Sequence, residues 1–141
     1  MEWDDFYIGM AQYVSRKSKD VSTRVGCVLV DQKNRVISLG FNGAPRGVSD
    51  EHSTRDAKIT KTIHAEVNAV LFAPRELAGA TAYVTHPCCS ACAAVLIQKE
   101  VCRVVFPTPT DDFISRWGTS YQEALTMFME AGVKVYEMDV A

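Results

Sequence analysis

Short apolar runs alternate with segments of helical periodicity along most of this chain. After a first helix, two apolar runs at residues 27–30 and 36–41 are joined by a polar turn. Helices and strands then alternate, which gives the predicted order α-β-β-α-β-α-β-α-β. Such alternation favours parallel pairing with helices on both faces of a sheet. The pattern therefore predicts an α/β fold, a three-layer α-β-α sandwich around a mixed five-stranded sheet.

The remaining elements follow from the same periodicities. The first helix is expected to bury an apolar face made of six residues: Trp3, Phe6, Tyr7, Met10, Ala11 and Val14. The other predicted helices lie near residues 63–71, 92–100 and 121–131, and the other strands near residues 80–85, 103–106 and 133–138. The polar stretch 42–62 and the segment around Arg116 and Trp117 are predicted to be loops.

Length and charge narrow the class of protein. The chain has 141 residues, 48% of them hydrophobic, which suits a single domain over residues 1–141. Its 15 Lys+Arg against 17 Asp+Glu give a net charge of −2, which argues against nucleic-acid binding. No apolar run reaches the roughly 18 residues of a membrane span, and the acidic N terminus does not resemble a secretory signal. We expect a cytoplasmic protein without a membrane partner.

Two short motifs carry the candidate chemistry. His64 and Glu66 open the second predicted helix, and Cys89 and Cys92 open the third. One imidazole and two thiolates suit Zn²⁺ and leave a fourth tetrahedral position for water, as in catalytic sites. Glu66 lies two residues beyond His64, too far around a helix to share its face, so it suits proton transfer better than ligation.

Each motif alone has a simpler interpretation. A histidine before a helix is often a core or capping residue, and a Cys-x-x-Cys pair can be a redox pair or half of a structural zinc site. The five cysteines are Cys27, Cys88, Cys89, Cys92 and Cys102, and three of them are crowded together, which favours metal or catalysis over disulfides. Cys27 and Cys102 lie in apolar runs and are expected in the core. The combined motifs favour a catalytic zinc.

Four segments connect the chain to a known family. They are residues 18–26, the loop 40–47 (GFNGAPRG), residues 63–69 (IHAEVNA) and residues 83–85 ahead of the cysteines. With these segments and the His-x-Glu and Cys-x-x-Cys motifs, the chain resembles the zinc-dependent cytidine and deoxycytidylate deaminases, most closely the deoxycytidylate (dCMP) branch. The resemblance covers nearly the whole length and implies a cytidine-deaminase-like fold.

The resemblance also implies roles for individual residues. His64, Cys89 and Cys92 would hold zinc, and Glu66 would shuttle protons while the amine of cytosine leaves as ammonia. Asn42 would hydrogen-bond the deoxyribose 3′-hydroxyl. The backbone N–H of Ala65 would contact the carbonyl of the base.

Similar enzymes form hexamers or smaller oligomers, and some respond to dCTP and dTTP between subunits. Phe72 and Arg75 match a family segment near those contacts. The resemblance therefore implies a homo-oligomer, with a hexamer favoured.

The chain departs from the family pattern at one position. The residue before the first cysteine ligand is normally proline, but here it is Cys88, with Pro87 one position earlier. Counting from residues 83–85 keeps Cys89 and Cys92 as the pair, so Cys88 is expected to form part of the pocket wall.

The sequence identifies the residues that would bind the phosphate of a nucleotide substrate less clearly than it identifies the zinc ligands. The basic candidates are Arg24, Arg46, Arg55, Lys58, Lys61 and Arg116. Of these, Arg24 and Arg116 are preferred because each is predicted to lie beside a strand-edge loop. Trp117 and Tyr121 could stack on the base or belong to the core, while His52 and His86 are expected not to be ligands.

Three functions remain open from the sequence. The first is deamination of dCMP to dUMP, with dCTP or a 5-substituted dCMP as alternative substrates. The second is deamination of a base in tRNA or DNA, which the net charge disfavours. The third is a zinc-stabilised binding module without catalysis.

Overall fold

The structure, a computed structural model, describes residues 1–51 and 54–139. Its helices are α1 (Trp3–Ser15), α2 (Arg55–Lys61), α3 (Ala65–Leu71), α4 (Ser90–Gln98) and α5 (Asp111–Ala131). Its strands are β1 (Gly26–Val30), β2 (Val36–Phe41), β3 (Thr81–Val84), β4 (Arg103–Pro107) and β5 (Lys134–Met138). No described helix is both long and apolar enough to cross a membrane.

The five strands form one sheet in the order β2-β1-β3-β4-β5. β1 pairs antiparallel with β2 and β3, whereas β3–β4 and β4–β5 are parallel. Residues Val28 and Val30 of β1 pack with α1, while Cys27 and Leu29 pack on the opposite face with α3, α4 and α5. The predicted three-layer α/β fold with a mixed sheet is confirmed.

The buried face of α1 differs from the predicted one. The structure buries Tyr7, Ile8, Ala11 and Val14, whereas Trp3 and Phe6 are 53% and 43% exposed. The aromatic rings of Trp3 and Phe6 instead pack around Tyr7 at centroid distances of 5.7 and 5.1 Å. The helical period was correct, but apolar residues occupy more than one side of this helix, so period alone did not locate the side facing the sheet.

The predicted loop over residues 42–62 contains the helix α2. Its N-cap, Thr54, accepts a hydrogen bond from the backbone N–H of Ala57 at 3.1 Å. None of its residues is buried, so α2 has no apolar stripe to give a periodic signal. The predicted order was wrong by this one element.

The segment around Arg116 and Trp117 is also helical, because α5 begins at Asp111, ten residues before the predicted start. Thr110 caps it by accepting a hydrogen bond from the N–H of Phe113 at 3.1 Å. A capping threonine followed by acidic residues is a helix start signal that could have been used. Arg116 and Trp117 therefore do not lie on a strand-edge loop.

Backbone contact holds α3 against the sheet. A Cβ atom at Gly40 of β2 would lie 2.5 Å from the backbone nitrogen of Ala69 and 2.7 Å from the backbone oxygen of Ala65. Only a residue without a side chain permits this approach. Gly40 therefore sets how closely the helix that follows His64 sits on β2.

We expect Gly40→Ala to lower the free energy of unfolding by about 1–3 kcal/mol, because the new methyl group can be accommodated only if α3 moves away from β2. Denaturant titration of both proteins measures this difference. Gly9→Ala is the matched control, since nothing lies within 4 Å of a Cβ at that exposed helical position. That control should be neutral or stabilising by up to about 1 kcal/mol. Equal stability of Gly40→Ala and the parent protein would show that the close approach is not required.

Candidate metal centre

His64 is held in place by the structure on both sides of it. On one side, Ile63 forms a two-way backbone bridge with Gly43, with N···O distances of 2.8 and 3.1 Å. On the other side, His64 is the N-cap residue of α3, and its carbonyl accepts the N–H of Asn68 at 3.0 Å. The imidazole is therefore carried by backbone that is fixed before and after it.

The two cysteines lie at the start of α4. Cys89 is the N-cap residue, and its sulfur accepts the backbone N–H of Cys92 at 3.4 Å. Cys89 is half-buried and Cys92 is buried in the first turn. The positive end of the helix dipole at this point favours the thiolate form.

The three side chains meet at one point. Nδ1 of His64 lies 3.2 Å from Sγ of Cys92 and 3.5 Å from Sγ of Cys89, and all three candidate ligand atoms lie within 4.8 Å of one another. Around tetrahedral zinc, bonds of about 2.0–2.1 Å to nitrogen and 2.3 Å to sulfur place these atoms about 3.5 Å apart. The donor set and its spacing therefore fit zinc.

The charge of the centre is concentrated on sulfur. A hydrogen bond from the Cys92 thiol, with a further one from His64, lowers the pKa of Cys89 to about 4. The same interaction with Cys89, together with burial, raises the pKa of Cys92. The Cys89 thiolate in turn raises the pKa of His64. The negatively charged Cys89 sulfur, with the His64 nitrogen and the Cys92 sulfur beside it, forms a group of ligand atoms that attracts a metal cation.

Glu66 lies beside this centre but outside the group of three. It is 4% exposed in the first turn of α3, and burial raises the pKa of its carboxyl group. A carboxyl group with a raised pKa exchanges protons more readily near neutral pH than an exposed one. The structure therefore provides a carboxyl group suited to proton transfer beside the candidate metal site.

Cys88 lies in contact with Glu66. Its side chain is 1% exposed, and burial, with the nearby Glu66 carboxylate, raises the pKa of the thiol. Cys88 is not part of the candidate ligand group. Its position at the side of Glu66 is compatible with the predicted place in a pocket wall.

Asn42 is buried and uses its amide within the protein. Its Oδ1 accepts the N–H of Val25 at 2.9 Å, and its Nδ2 donates to the carbonyl of Thr23 at 3.0 Å. Each end of the amide keeps capacity for one more hydrogen bond. Asn42 also lines a cleft of about 380 Å³, with Lys17 and Arg46 among the other lining residues. Holding the segment before β1 is a role that the sequence did not predict.

The other predicted contact residues differ in exposure and belong to separate elements. Ala65 is buried at the first position of α3, next to Glu66. Arg24 is exposed, and its Nε donates to the carbonyl of Asp20 at 3.3 Å. Arg116 is exposed on α5, 3.5 Å from Asp112, and Trp117 is 46% exposed.

Arg116 also lines a groove of about 1090 Å³ between α4 and α5, whose wall at the cysteine end includes Ser90. Within the described residues, neither Arg24 nor Arg116 contacts the three candidate ligands.

The predicted subunit-contact residues lie at the opposite end of α3 from His64. Phe72 is 58% exposed, and the guanidinium of Arg46 lies 5.4 Å from its ring centroid. Arg75 pairs with Asp31 at 2.8 Å. Both residues are on the surface.

The structure also gives the positions of a tyrosine, two cysteines and a histidine for which the sequence made predictions. Tyr121 is buried and donates a hydrogen bond to Glu137, so it belongs to the core. Cys27 is buried as predicted, whereas Cys102 is exposed, and its expected place in the core was wrong because it precedes β4 at the edge of the core. His86 lies outside the ligand group and contacts Thr85 at 3.0 Å. His52, predicted not to be a ligand, lies outside the described residues.

Asp20 has a structural role that the sequence pattern does not indicate. Its Oδ1 accepts hydrogen bonds from the N–H groups of Ser22 and Thr23 and from Nζ of Lys58, at 2.7, 2.9 and 2.8 Å. The ion pair between Asp20 and Lys58 links α2 to the segment that contains Arg24. An aspartate two residues before a serine is typical of an Asx turn, which was an available signal, but nothing in the sequence predicts the contact with Lys58.

Comparison with known proteins gives a family match. Residues 1–108 match the model of the cytidine and deoxycytidylate deaminase zinc-binding region. An uncharacterised deaminase of Aliivibrio fischeri is 48% identical over 136 residues, covering 95% of this chain and 92% of that protein. The deoxycytidylate deaminase of Mycobacterium phage D29 is 36% identical over 124 residues, covering 75% and 94%. The chain spans 59–65% of the length of the animal deoxycytidylate deaminases that it matches.

The fold has solved counterparts as well. The crystal structure of the dCMP deaminase of cyanophage S-TIM5, in complex with dCMP and dUMP, superposes with a TM-score of 0.78 at 22% identity. The superposition covers 95% of each chain. At this identity the likeness establishes a shared fold.

Two cysteine variants separate the predicted ligand pair from the neighbouring thiol. We expect Cys92→Ser to lose most bound zinc, because it removes one of three protein ligands, and Cys88→Ser to keep about one zinc per chain. Zinc content after reconstitution and dialysis, measured by atomic spectroscopy, distinguishes the two. Loss of zinc from Cys88→Ser with retention in Cys92→Ser would reverse the assignment.

Proposed function

The chain belongs to the cytidine and deoxycytidylate deaminase family, and from that premise we propose that it hydrolyses dCMP to dUMP and ammonia. The observation that carries the proposal is the meeting of His64, Cys89 and Cys92 with a buried Glu66 beside them. The named deoxycytidylate deaminases among its relatives support dCMP as the substrate. Deamination of dCTP, of 5-substituted dCMP or of a polynucleotide base is not favoured.

His64, Cys89 and Cys92 are the proposed zinc ligands. They supply one nitrogen and two sulfurs, and no fourth His, Cys, Asp or Glu of the described residues joins the group. These residues would hold a zinc ion, which would supply Lewis-acid activation of water at neutral pH. The exposure of His64 beside the buried Cys92 supports a centre that a nucleotide can reach from the protein surface.

Glu66 is the proposed proton carrier. Hydrolysis consumes one water, exchanges the 4-amine of cytosine for oxygen and releases ammonia, so protons must reach the ring nitrogen and the leaving amine. The Glu66 carboxyl group lies in the same first turn of α3 that follows His64 and is shielded from bulk solvent. A carboxyl group positioned within hydrogen-bond reach of the reacting groups acts as a general acid and base.

The remaining contacts are proposed for recognition of the nucleotide. The Ala65 N–H, in the first turn of α3, binds the carbonyl of the base, and the Asn42 amide uses its remaining capacity for the 3′-hydroxyl. Cys88 and Trp117 are the proposed walls of the pocket around the base. Arg24 and Arg116 are the proposed phosphate contacts, and both side chains are exposed.

The assembly and its regulation are proposed from the family. We infer a homo-oligomer, with a hexamer favoured, in which Phe72 and Arg75 lie near subunit contacts and dCTP and dTTP act as effectors. The 58% exposure of Phe72 supports this assignment. A cytoplasmic location is proposed because zinc ligation requires reduced thiols.

We expect Glu66→Gln to reduce ammonia release from dCMP by about 10²–10⁴-fold, because the amide cannot carry the proton. Zinc content should stay unchanged, since Glu66 is not a ligand. Glu130→Gln, an exposed position on α5, is the control and should keep parental turnover. Full activity of Glu66→Gln would remove the proposed proton carrier.

The substrate is tested by ammonia release from cytidine, dCMP, 5-methyl-dCMP, dCTP and a cytosine-containing oligonucleotide, each with and without dTTP. The proposal expects the highest kcat/KM with dCMP. Activity confined to the oligonucleotide would contradict it, and absence of ammonia release from every substrate by zinc-loaded protein would indicate a binding module.

A further inference from the structure

A serine of α5 contacts the turn that carries both cysteine ligands. The backbone N–H of Ser90, directly after Cys89, donates a hydrogen bond to Oγ of Ser120 at 2.9 Å. The Ser120 hydroxyl in turn donates to Oγ of Ser90 at 3.2 Å. The two residues are 30 positions apart in sequence, so this contact exists only in the folded chain.

The contact supplies a hydrogen-bond partner that α4 cannot provide for itself. The first N–H groups of a helix have no acceptor within that helix. At the start of α4, the Cys89 sulfur accepts the N–H of Cys92, which leaves the N–H of Ser90 to be satisfied from elsewhere. Ser120 provides that acceptor, so α5 caps the first turn of α4 at Ser90, the residue directly after Cys89.

Ser120 lies on a well-anchored part of α5. The next residue, Tyr121, is buried, and its ring contacts Phe106 and Phe113 with centroid distances of 6.0 Å to each. Its hydroxyl also donates to Glu137 of β5. Ser120 is therefore fixed relative to the sheet, and through Ser90 it fixes the cysteine turn relative to the same sheet.

We propose that Ser120 is a positioning residue for the metal centre. Its hydroxyl holds the first turn of α4 so that the sulfurs of Cys89 and Cys92 stay within reach of His64, and it thereby slows the loss of zinc. This inference rests on the zinc site of the proposed function. It assigns to α5 a part in that site, although α5 supplies none of the three candidate ligands.

The test is the rate at which zinc is transferred from the loaded protein to a chromogenic chelator. Ser120→Ala should release zinc about 10-fold faster than the parent protein, because residues that orient metal ligands typically change metal affinity by about 10–100-fold when removed. Thr119→Ala is the matched control. It removes a hydroxyl from the neighbouring exposed position of the same helix and should leave the rate unchanged.

Two further measurements separate positioning from general destabilisation. Ser120→Thr keeps the hydroxyl and should restore slow release. The cobalt-substituted Ser120→Ala protein should keep the thiolate-to-cobalt charge-transfer band, because all three ligands remain, while losing cobalt faster to the chelator.

Equal zinc release by Ser120→Ala and the parent protein would overturn the inference, as would equally fast release by Thr119→Ala or by Ser120→Thr. Failure of the parent protein to bind zinc would instead overturn the zinc site itself.

Discussion

The candidate centre depends on two helices whose first residues lie next to each other on the same face of the sheet. His64 and Cys89 are both N-cap residues, so their positions follow from the backbone paths into α3 and α4. The path into α3 is fixed by the Gly43–Ile63 bridge and by the backbone contact that Gly40 allows. The ligand spacing is thus a property of packed backbone, which holds ligands more precisely than loops do.

This arrangement also determines the electrostatics of the site. Cys89 and Cys92 share a helix turn in which the backbone N–H of Cys92 donates to the sulfur of Cys89, and His64 contacts both sulfurs. Glu66 is buried by the same packing of α3 on the sheet, so its carboxyl group is shielded from solvent. Ligand and proton carrier therefore come from one short segment, His64 to Glu66. They differ in exposure because His64 is the N-cap residue before α3, whereas Glu66 lies in the buried part of its first turn.

The sequence predicted most of what local patterns determine. The sheet strands and the candidate ligands His64, Cys89 and Cys92 were found because apolar alternation and ligand spacing are visible within a few residues. The sequence pattern does not predict helix α2, because that helix has no buried face. It predicts the start of α5 too far along the chain, because Gly118 and the polar residues around it weaken the helical pattern.

Contacts between distant segments could not be predicted in this way. The family resemblance implies a sugar contact for Asn42, and in the structure its amide also holds the chain before β1 through Thr23 and Val25. Ser120 contacts Ser90 only because α4 and α5 pack side by side. Both roles depend on tertiary contacts between elements that are distant in sequence, and local sequence patterns do not specify such contacts.

The most direct test of the centre is X-ray absorption spectroscopy at the zinc edge of the loaded protein. The account predicts two sulfurs at about 2.3 Å and two nitrogen or oxygen atoms at about 2.0–2.1 Å, one of them from His64. A third or fourth sulfur, which would bring Cys88 into the coordination sphere and close the site, would contradict it.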